Sequence, residues 1–270
     1  MKLARTADGA LVRFEGEHVH ELAFDGDVAD LIRSGRDPSQ LATRGERPAD
    51  TELAAPLRPG KIVAIGLNYL DHIRETGTER PERPPIFAKW VSSLTGPTAD
   101  IVVDRTLTDA VDFEVELAVV IGTRMRRVDA GDALSHVFGY TVANDVSARD
   151  IQVREPTWVR AKSLDTFCPL GPWVVTAEEV PDPQALRLWT RVNGELLQDS
   201  TTSEMVFGVA SLLSICSASF PLDPGDVVLT GTPHGVGFVR DPQILLRDGD
   251  LVEAGVDGIG VLANRVRDLA

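Results

Sequence analysis

Residues 111–120, VDFEVELAVV, form an apolar run that contains two glutamates. The run includes four valines, and this β-branched residue favours strands, so the pattern predicts a strand in the protein core. Side chains alternate between the two faces of a strand, which places Glu114 and Glu116 on the same face, roughly 6.5–7 Å apart. That face continues into Ala118 and Val120, so it does not stay polar along its length. Any fold of this chain must therefore accommodate two carboxylates beside an apolar core.

Two like charges so close together are costly to bury unless a cation lies between them. A divalent cation with oxygen ligands meets this requirement, and a half-exposed strand with both acids in water is the alternative. Asp145 offers a third oxygen ligand, because the strand-like run YTVA ends at Asn144-Asp145. An Asn-Asp pair also fits a turn or a helix cap. Three carboxylates from two strands would leave coordination positions for water and substrate in a magnesium-like octahedron.

A histidine and a glutamate three residues apart follow the predicted strand KIVAIG. In GLNYLDHIRE, residues 66–75, His72 and Glu75 would lie on the same side of a helical turn. The carboxylate would then orient the imidazole and raise its basicity, as in a pair that activates water. An ordinary surface contact between the two side chains is the alternative.

Lysine is rare in this chain, with four of the 27 basic residues, so a lysine in a weakly charged segment stands out. Lys162 lies in AKSLDTFCPLGPW, residues 161–173, where it would either neutralise a substrate carboxylate or enolate or extend into solvent. The segment GTPHGVG, residues 231–237, follows the predicted strand DVVLT, and its glycines would let backbone N–H groups approach an anion. It lacks the Gly-Lys-Ser/Thr sequence of a P-loop, which argues against nucleotide binding.

The composition argues against several classes of partner. The chain of 270 residues has a formal net charge of -14 and a pI near 4.8, so it would be repelled by nucleic acids and anionic membranes. It has no apolar run of about 18 residues, and its N-terminus lacks the apolar region of a signal peptide. Two cysteines, Cys168 and Cys216, are too few for a disulfide framework. We therefore expect a cytoplasmic protein that acts on a small molecule.

The first part of the chain reads as a small separate unit. Short alternating runs separated by turn-forming residues predict strands over residues 1–24. Apolar residues at helical spacing then predict a short helix over 27–35, and residues 35–60 have the proline, arginine and glycine content of a linker. We therefore place a small N-terminal domain at 1–58 and the catalytic domain at 59–270.

From Lys61 onward the pattern is a series of strands separated by glycine and proline. Asn193-Gly194 lies between two alternating runs and predicts a tight β-hairpin. Residues 203–219 give the clearest helical pattern in the chain. Because strands and helices do not alternate regularly, the predicted fold class is α+β and β-rich, without a regular βαβ arrangement.

Several segments, taken in order, resemble the fumarylacetoacetate hydrolase superfamily. The segments that carry the resemblance are GLNYLDHIRE, PPIFAK, DFEVELAVVIG, GYTVANDVSARDIQ, KSLDTFCPLGPW, VNGELLQ, LDPGDVVLTGTPHGVG and DGIGVLANRV. They run from about residue 61 to the end of the chain, and residues 1–60 resemble the short N-terminal unit of the bacterial branch more loosely. The resemblance implies a mixed β-roll around a metal site, with a small N-terminal β/α unit, in a homodimer.

The resemblance also implies roles for individual residues. The matching positions are Glu114, Glu116 and Asp145 for the metal, His72, Glu75 and Lys162 for catalysis, and Gln152, Thr232, Arg149 and Lys89 for substrate binding. Magnesium or manganese is the usual ion in the family, and calcium is also found. The chemistry implied is stabilisation of the enolate of a 2-oxo acid.

We expect hydrolysis of a C–C bond in a β-diketo acid, either an acylpyruvate or a fumarylacetoacetate-like acid, because His72 and Glu75 form a water-activating pair. Residues 153–158, VREPTW, differ from the aromatic-rich stretch of the eukaryotic hydrolase, which argues against fumarylacetoacetate itself. The alternatives are an isomerase of the 2-hydroxyhepta-2,4-diene-1,7-dioate type, a decarboxylase of oxaloacetate-like acids, and a binding protein that has kept the fold.

Overall fold

The largest element of the structure is a 12-stranded sheet, to which both the N-terminal and the C-terminal parts of the chain contribute. The computed structural model describes residues 1–269. The helices are α1 (Val28–Ser34), α2 (Leu70–Thr76), α3 (Ala130–Ala133), α4 (Arg149–Arg154) and α5 (Val209–Ser219). The strands are β1 (Lys2–Thr6), β2 (Leu11–Glu15), β3 (His18–Leu22), β4 (Thr43–Arg47), β5 (Leu53–Ala54), β6 (Ile62–Ile65), β7 (Ile86–Lys89), β8 (Leu94–Thr95), β9 (Ile101–Val103), β10 (Val111–Asp112), β11 (Val115–Ile121), β12 (Val137–Asn144), β13 (Ser147–Ala148), β14 (Cys168–Thr176), β15 (Arg187–Val192), β16 (Glu195–Thr201), β17 (Val227–Leu229), β18 (Leu251–Val256) and β19 (Gly260–Asp268). The predicted β-rich α+β class is confirmed.

Strand β11 is an interior strand of the large sheet. The strand order is β4-β3-β2-β1-β14-β12-β11-β17-β6-β7, with β5 and β8 paired to β1 and β14. β11 pairs antiparallel with β12 on one side and with β17 on the other, and β17 pairs in parallel with β6. Pairing with β12 and β17 satisfies backbone groups along β11, and at its start the side chains of Gln198 and Thr232 bond to the backbone of Val115. Side chains at the start of β11 and the end of β12 therefore have rigid support.

The two faces of β11 belong to two different hydrophobic clusters. The odd-numbered residues from Val115 to Ile121 lie in one cluster, and Ala118 and Val120 lie in the other. All seven residues of β11 are buried. The alternation and the burial predicted for this run are confirmed, and each fully buried Val, Leu or Ile side chain contributes about 1.5–3 kcal/mol of transfer free energy.

The N-terminal segment extends the same sheet. β1 pairs with β14 through Lys2 opposite Val175 and Leu3 opposite Val174. The prediction of a linker over residues 35–60 is wrong in part, because β4 pairs with β3 and β5 pairs with β1. β4 (TRGER) is a largely exposed strand at the edge of the sheet. Its charged residues show no apolar alternation, so the sequence did not predict a strand there. The domain boundary near residue 58 stays a prediction.

The short helix predicted over residues 27–35 is confirmed as α1. The carboxylate of Asp27 accepts a hydrogen bond from the N–H of Asp30, and the carboxylate of Asp30 accepts one from the N–H of Asp27. This reciprocal capping satisfies two N–H groups at the start of the helix. Gly35 ends the helix in the left-handed region, with φ of 67°.

The hairpin predicted at Asn193-Gly194 is confirmed between β15 and β16. Asn193 and Gly194 have φ of 51° and 85°, as the favoured two-residue turn requires. The helix predicted over residues 203–219 begins later than expected, because α5 starts after Gly208 and Thr202–Glu204 forms a separate 3₁₀ turn. β15 and β16 belong to a second, five-stranded sheet with the order β16-β15-β18-β19-β9.

Candidate metal centre and active site

Three buried carboxylates meet at the start of β11 and the end of β12. Glu114 immediately precedes β11, Glu116 is the second residue of β11, and Asp145 immediately follows β12. Antiparallel pairing of Val115 with Asn144 brings these two strand ends together. One oxygen atom from each carboxylate lies within 4.8 Å of the other two. The predicted cluster of three carboxylates, which we call the carboxylate cluster, is present.

Glu114 lies outside the strand in which the sequence placed it. β10 ends at Asp112 and β11 begins at Val115, so the single predicted strand is broken. The N–H of Glu114 donates to the side-chain Oδ1 of Asn144 at 2.9 Å, and its carbonyl accepts from the N–H of Asp145 at 2.8 Å. A side-chain hydrogen bond thus replaces a regular contact between strands.

The two glutamates of the cluster have opposite electrostatic environments. Burial, with the nearby carboxylates of Asp145 and Glu114, raises the pKa of Glu116 well above its usual range. Burial also acts to raise the pKa of Glu114, but Lys162 and Arg149 outweigh it and lower that pKa to about 2. Glu116 is therefore the carboxylate that the protein's own cations compensate least.

Three buried basic side chains contact the cluster. Lys162 Nζ lies 2.7 Å from Glu114 Oε2 and 2.8 Å from Asp145 Oδ2. Lys89 Nζ lies 2.5 Å from Asp145 Oδ1, and Arg149 Nη2 lies 2.7 Å from Glu114 Oε1. Burial acts to lower the pKa of Lys162, but Asp145 and Glu114 outweigh it and raise that pKa. Lys162 and Arg149 therefore offset part of the negative charge of the cluster, and Lys89 pairs with Asp145.

The donor set of the cluster fits a hard divalent cation. Carboxylate oxygens at this spacing are the ligands that Mg²⁺ and Mn²⁺ prefer in proteins. Glu116 is the carboxylate whose negative charge the basic side chains compensate least. Its position is fixed, because its Oε2 accepts a hydrogen bond from the N–H of Gly231 at 2.7 Å. A divalent ion would supply the positive charge that this carboxylate lacks.

A cavity of about 490 Å³ opens onto the cluster. Its size is typical of sites for small molecules. The predicted site residues that line it are His72, Glu114, Glu116, Asp145, Arg149, Gln152, Lys162 and Thr232. The aromatic side chains that line it are Phe87, Trp158 and Phe238. The cavity therefore combines a charged side with an apolar wall.

His72 and Glu75 form the predicted pair on α2. His72 Nδ1 lies 2.9 Å from Glu75 Oε2, and Glu75 Oε1 accepts a hydrogen bond from the N–H of Gly235 at 2.8 Å. Since an ionised carboxylate only accepts hydrogen bonds, Nδ1 is the donor, and Nε2 of a neutral imidazole keeps its lone pair. The predicted contact is confirmed, and its role in catalysis stays a prediction.

The remaining predicted residues have well-defined partners. Gln152 and Arg149 both lie on α4, and Gln152 Oε1 accepts from Arg149 Nη1 at 2.9 Å. Thr232 Oγ1 donates to the carbonyl of Val115 at 2.9 Å, between the two glutamates of the cluster. Lys89 is buried, and its Nζ lies 2.5 Å from Asp145 Oδ1. The substrate contacts of all four residues stay predictions.

Sequence reasoning missed the role of Gln198, a fully buried residue of β16. Its Oε1 accepts from the N–H of Val115 at 3.0 Å and from the hydroxyl of Thr190 at 2.8 Å. Its Nε2 donates to Thr232 Oγ1 at 2.9 Å and to the carbonyl of Pro233 at 3.0 Å. Gln198 thus joins the start of β11 to the 231–237 segment. The glutamine of VNGELLQ was visible in the sequence, but its partners are distant along the chain.

Asp112 is a second residue whose role the sequence did not reveal. It is fully buried, and its carboxylate lies 2.8 Å from Arg149 Nε. It also accepts from the N–H groups of Gly237 at 2.8 Å and Phe238 at 3.1 Å. Asp112 therefore fixes both the guanidinium that contacts Glu114 and the end of the 231–237 segment.

Comparison with known proteins identifies the family. Residues 61–267 match the model of the fumarylacetoacetate (FAA) hydrolase C-terminal family, which is more than half of the chain. The chain belongs to this family. The resemblance inferred from the sequence is therefore confirmed.

The proteins to which this chain is similar include enzymes that are named for different reactions. The chain is 47% identical over 218 residues to the mitochondrial oxaloacetate tautomerase FAHD2B of Bos taurus, covering 80% of this chain and 69% of that protein. The structure of a fumarylacetoacetate hydrolase from Exiguobacterium antarcticum superposes with a TM-score of 0.89 at 37% identity, over the full length of both chains. The structure of a 5-carboxymethyl-2-hydroxymuconate delta-isomerase from Mycobacterium smegmatis does so with a TM-score of 0.84 at 40% identity, again over both full lengths.

These relatives support the expectation that the protein is an enzyme. They are named as a tautomerase, a hydrolase and an isomerase, so tautomerisation and isomerisation are candidate reactions beside the predicted hydrolysis.

The helices of the structure bear on membrane association. Within residues 1–269, no helix is both long and apolar enough to span a bilayer. The predicted cytoplasmic location and homodimer stay predictions.

Proposed function

We propose that this protein is a divalent-metal-dependent enzyme that interconverts the keto and enol forms of a 2-oxo dicarboxylic acid of the oxaloacetate type. The observation that carries the proposal is that His72, held by Glu75, lines the same cavity as the carboxylate cluster. A group able to move a proton thus lies beside a site suited to a 2-oxo acid. The 47% identity to an oxaloacetate tautomerase supports this substrate class.

Glu114, Glu116 and Asp145 would hold the ion, for which we propose Mg²⁺ or Mn²⁺ on the basis of the all-oxygen donor set. A bound ion of this kind supplies Lewis acidity, which lowers the free energy of negative charge developing on a substrate oxygen. Lys162 and Arg149, which contact the same carboxylates, keep the site from becoming excessively negative for an anionic substrate.

The proton transfer is assigned to His72. Its Nε2 would accept a proton from the carbon next to the 2-oxo group, and the same proton would then pass to the carbonyl oxygen to give the enol. The imidazole gains one proton and loses one, so atoms and charge balance over the cycle. Glu75 stabilises the transient imidazolium through its hydrogen bond to Nδ1, as the carboxylate of a catalytic triad does.

The predicted hydrolysis of a β-diketo acid is the second candidate, and the apolar wall of the cavity favours it. Phe87 and Trp158 pack edge to face, with ring centroids 5.4 Å apart, and both line the cavity. Such a wall suits the acyl tail of an acylpyruvate better than a second carboxylate, because an unpaired charge is costly to bury. In this reaction His72 would accept a proton from water instead of from carbon.

The deciding experiment follows the loss of enol absorbance when enol-oxaloacetate is mixed with protein and Mg²⁺. A sample with Mg²⁺ alone gives the uncatalysed rate, and His72→Ala serves as the matched variant. We expect the wild-type protein to exceed the Mg²⁺ rate, and His72→Ala to lose about 100-fold or more of that activity. Acceleration confined to cleavage of an acylpyruvate into pyruvate and a carboxylic acid would replace the first candidate with the second. Acceleration of neither reaction would reject both.

A further inference from the structure

Asp71 joins the helix that carries His72 to the segment 231–237. Its Oδ2 lies 2.9 Å from His234 Nδ1 and also accepts from the hydroxyl of Ser200 on β16. Its Oδ1 accepts from the backbone N–H of His72 at 2.7 Å. Since an ionised carboxylate only accepts hydrogen bonds, His234 Nδ1 is the donor. A single side chain thus connects α2, β16 and the 231–237 segment.

Glu75 makes a second connection to the same segment. Its Oε1 accepts from the N–H of Gly235, the residue after His234, at 2.8 Å. Asp71 and Glu75 are four residues apart, so they lie about one turn apart on the same side of α2. His72 lies between them in sequence and lines the cavity. Two carboxylates therefore fix the helical turn from which His72 extends.

We propose that Asp71 is a positioning residue for the proton transfer and that His234 is the partner through which it acts. This inference rests on the proposed function, because it matters only if His72 moves a proton. α2 has seven residues, and a helix this short has little stability of its own, so its position depends on tertiary contacts. A misplacement of about 1 Å of a catalytic group is enough to cost about 100-fold in rate.

The segment before α2 has anchors of its own. The buried Asn68 donates from Nδ2 to the carbonyl of Thr230 at 2.8 Å, and its Oδ1 accepts from the N–H of Phe207 at 2.9 Å. Neither bond involves Asp71. We therefore expect Asp71 variants to fold and to keep the carboxylate cluster, while the imidazole of His72 is less precisely placed.

The test compares kcat and KM for enol-oxaloacetate, with Mg²⁺, among wild type, Asp71→Ala, His234→Ala and the double variant. We expect kcat of Asp71→Ala to fall about 10–100-fold with KM changed less than about threefold, because placement and not binding is lost. His234→Ala, at a half-exposed position, should fall less in the same direction. The double variant should match Asp71→Ala, because both substitutions remove one shared contact.

His136→Ala is the control, because this histidine bonds to Thr123 at 2.8 Å on a surface away from the cavity, and it should keep the wild-type kcat. The proposal is overturned if Asp71→Ala keeps kcat within about twofold of wild type, whether or not its KM changes. It is also overturned if the fold-losses in kcat of the two single variants multiply in the double variant, because the two residues would then act independently.

Amide hydrogen exchange separates this inference from the proposed function, because it needs no substrate. In the Mg²⁺-containing protein, we expect the peptide covering residues 66–76 to exchange about tenfold faster in Asp71→Ala and in His234→Ala, and unchanged in His136→Ala. A wild-type protein without tautomerase activity would reject the proposed function, and this exchange pattern would still decide whether Asp71 fixes α2. If this peptide exchanges at the wild-type rate in both Asp71→Ala and His234→Ala, the inference is overturned.

Discussion

The ammonium group of Lys162 lies 2.8 Å from a carboxylate oxygen of Asp145, and both side chains are almost completely buried. The same nitrogen lies 2.7 Å from Glu114, so one cation is shared by two acids. An intact buried ion pair adds little net stability, because the loss of hydration offsets the attraction. Removing one partner is different, since the remaining charge is left buried and unpaired.

Lys162→Met should therefore lower the free energy of unfolding by about 3–5 kcal/mol when no divalent ion is present. Added Mg²⁺ should raise the melting temperature of this variant more than that of wild type, because the ion supplies the missing positive charge. Thermal unfolding with EDTA and with Mg²⁺ measures both effects. Lys2→Met is the control, since Lys2 lies over the Trp173 ring and its loss should cost about 1 kcal/mol or less. A Lys162→Met protein as stable as wild type in EDTA would contradict the prediction.

Glu116→Gln should remove metal binding and activity together while the protein stays folded. The amide oxygen of Gln still accepts the hydrogen bond that Gly231 donates to Glu116 at 2.7 Å, so the local structure is kept. The substitution removes one of three anionic ligands, and we expect the affinity for Mn²⁺ to fall at least about 10–100-fold. Titration calorimetry and circular dichroism measure binding and folding. Wild-type magnesium-dependent turnover in this variant would show that the metal assignment is wrong.

The same substitution should change how stability depends on pH in EDTA. Burial and the nearby acids raise the pKa of Glu116 above its ordinary value of 4.5, so between these two pKa values the native state holds a proton that the unfolded chain has released. Wild-type stability attributable to this group is therefore present at low pH and is lost as pH rises through that window. Within and above that window Glu116→Gln should melt at a higher temperature than wild type, and below pH 4.5 the difference should disappear.

The control for this prediction is Glu195→Gln, which changes an exposed glutamate at the start of β16. Glu114 provides an internal contrast of opposite sign. Its pKa is lowered to about 2, because Lys162 and Arg149 outweigh burial, so its contribution is lost as pH falls from 4.5 toward 2. Glu114→Gln should therefore destabilise the protein at neutral pH, where Glu116→Gln stabilises it. If the melting temperatures of the two variants shift in the same direction at pH 7, the electrostatic environments assigned to Glu114 and Glu116 are wrong.

The sequence predicted the members of the site better than its local geometry. Glu114 and Glu116 could be found because an apolar strand tolerates few charges, and Asp145 because it follows the end of a strand-like run. His72 and Glu75 could be found because helical spacing brings them together. The break before β11 could not be predicted, because it depends on a hydrogen bond from Glu114 to a side chain 30 residues away. Contacts of this kind follow from tertiary structure and leave no local periodic signal.

The fold shows the same division. The hairpin at Asn193-Gly194 and the buried strand β11 have strong local patterns and were predicted, although the predicted strand began before β11 does. β4 was missed because an exposed edge strand has no apolar face to give it a period of two. Asp71 and His234 are 163 positions apart in the chain, so their contact, which joins α2 to the 231–237 segment, could be seen only in the structure.

Gln198 offers the sharpest test of a residue that only the structure revealed. Gln198→Leu would leave the buried N–H of Val115 and the carbonyl of Pro233 without their partners, which should cost about 2–4 kcal/mol of unfolding free energy. It should also lower magnesium-dependent kcat, because Val115 lies between Glu114 and Glu116. Gln184→Leu is the matched control, since Gln184 bonds to the carbonyl of Thr202 and to the N–H of Val209 at the start of α5. This substitution should destabilise the protein without changing kcat. Equal kcat values for the two folded variants would show that Gln198 supports the fold alone.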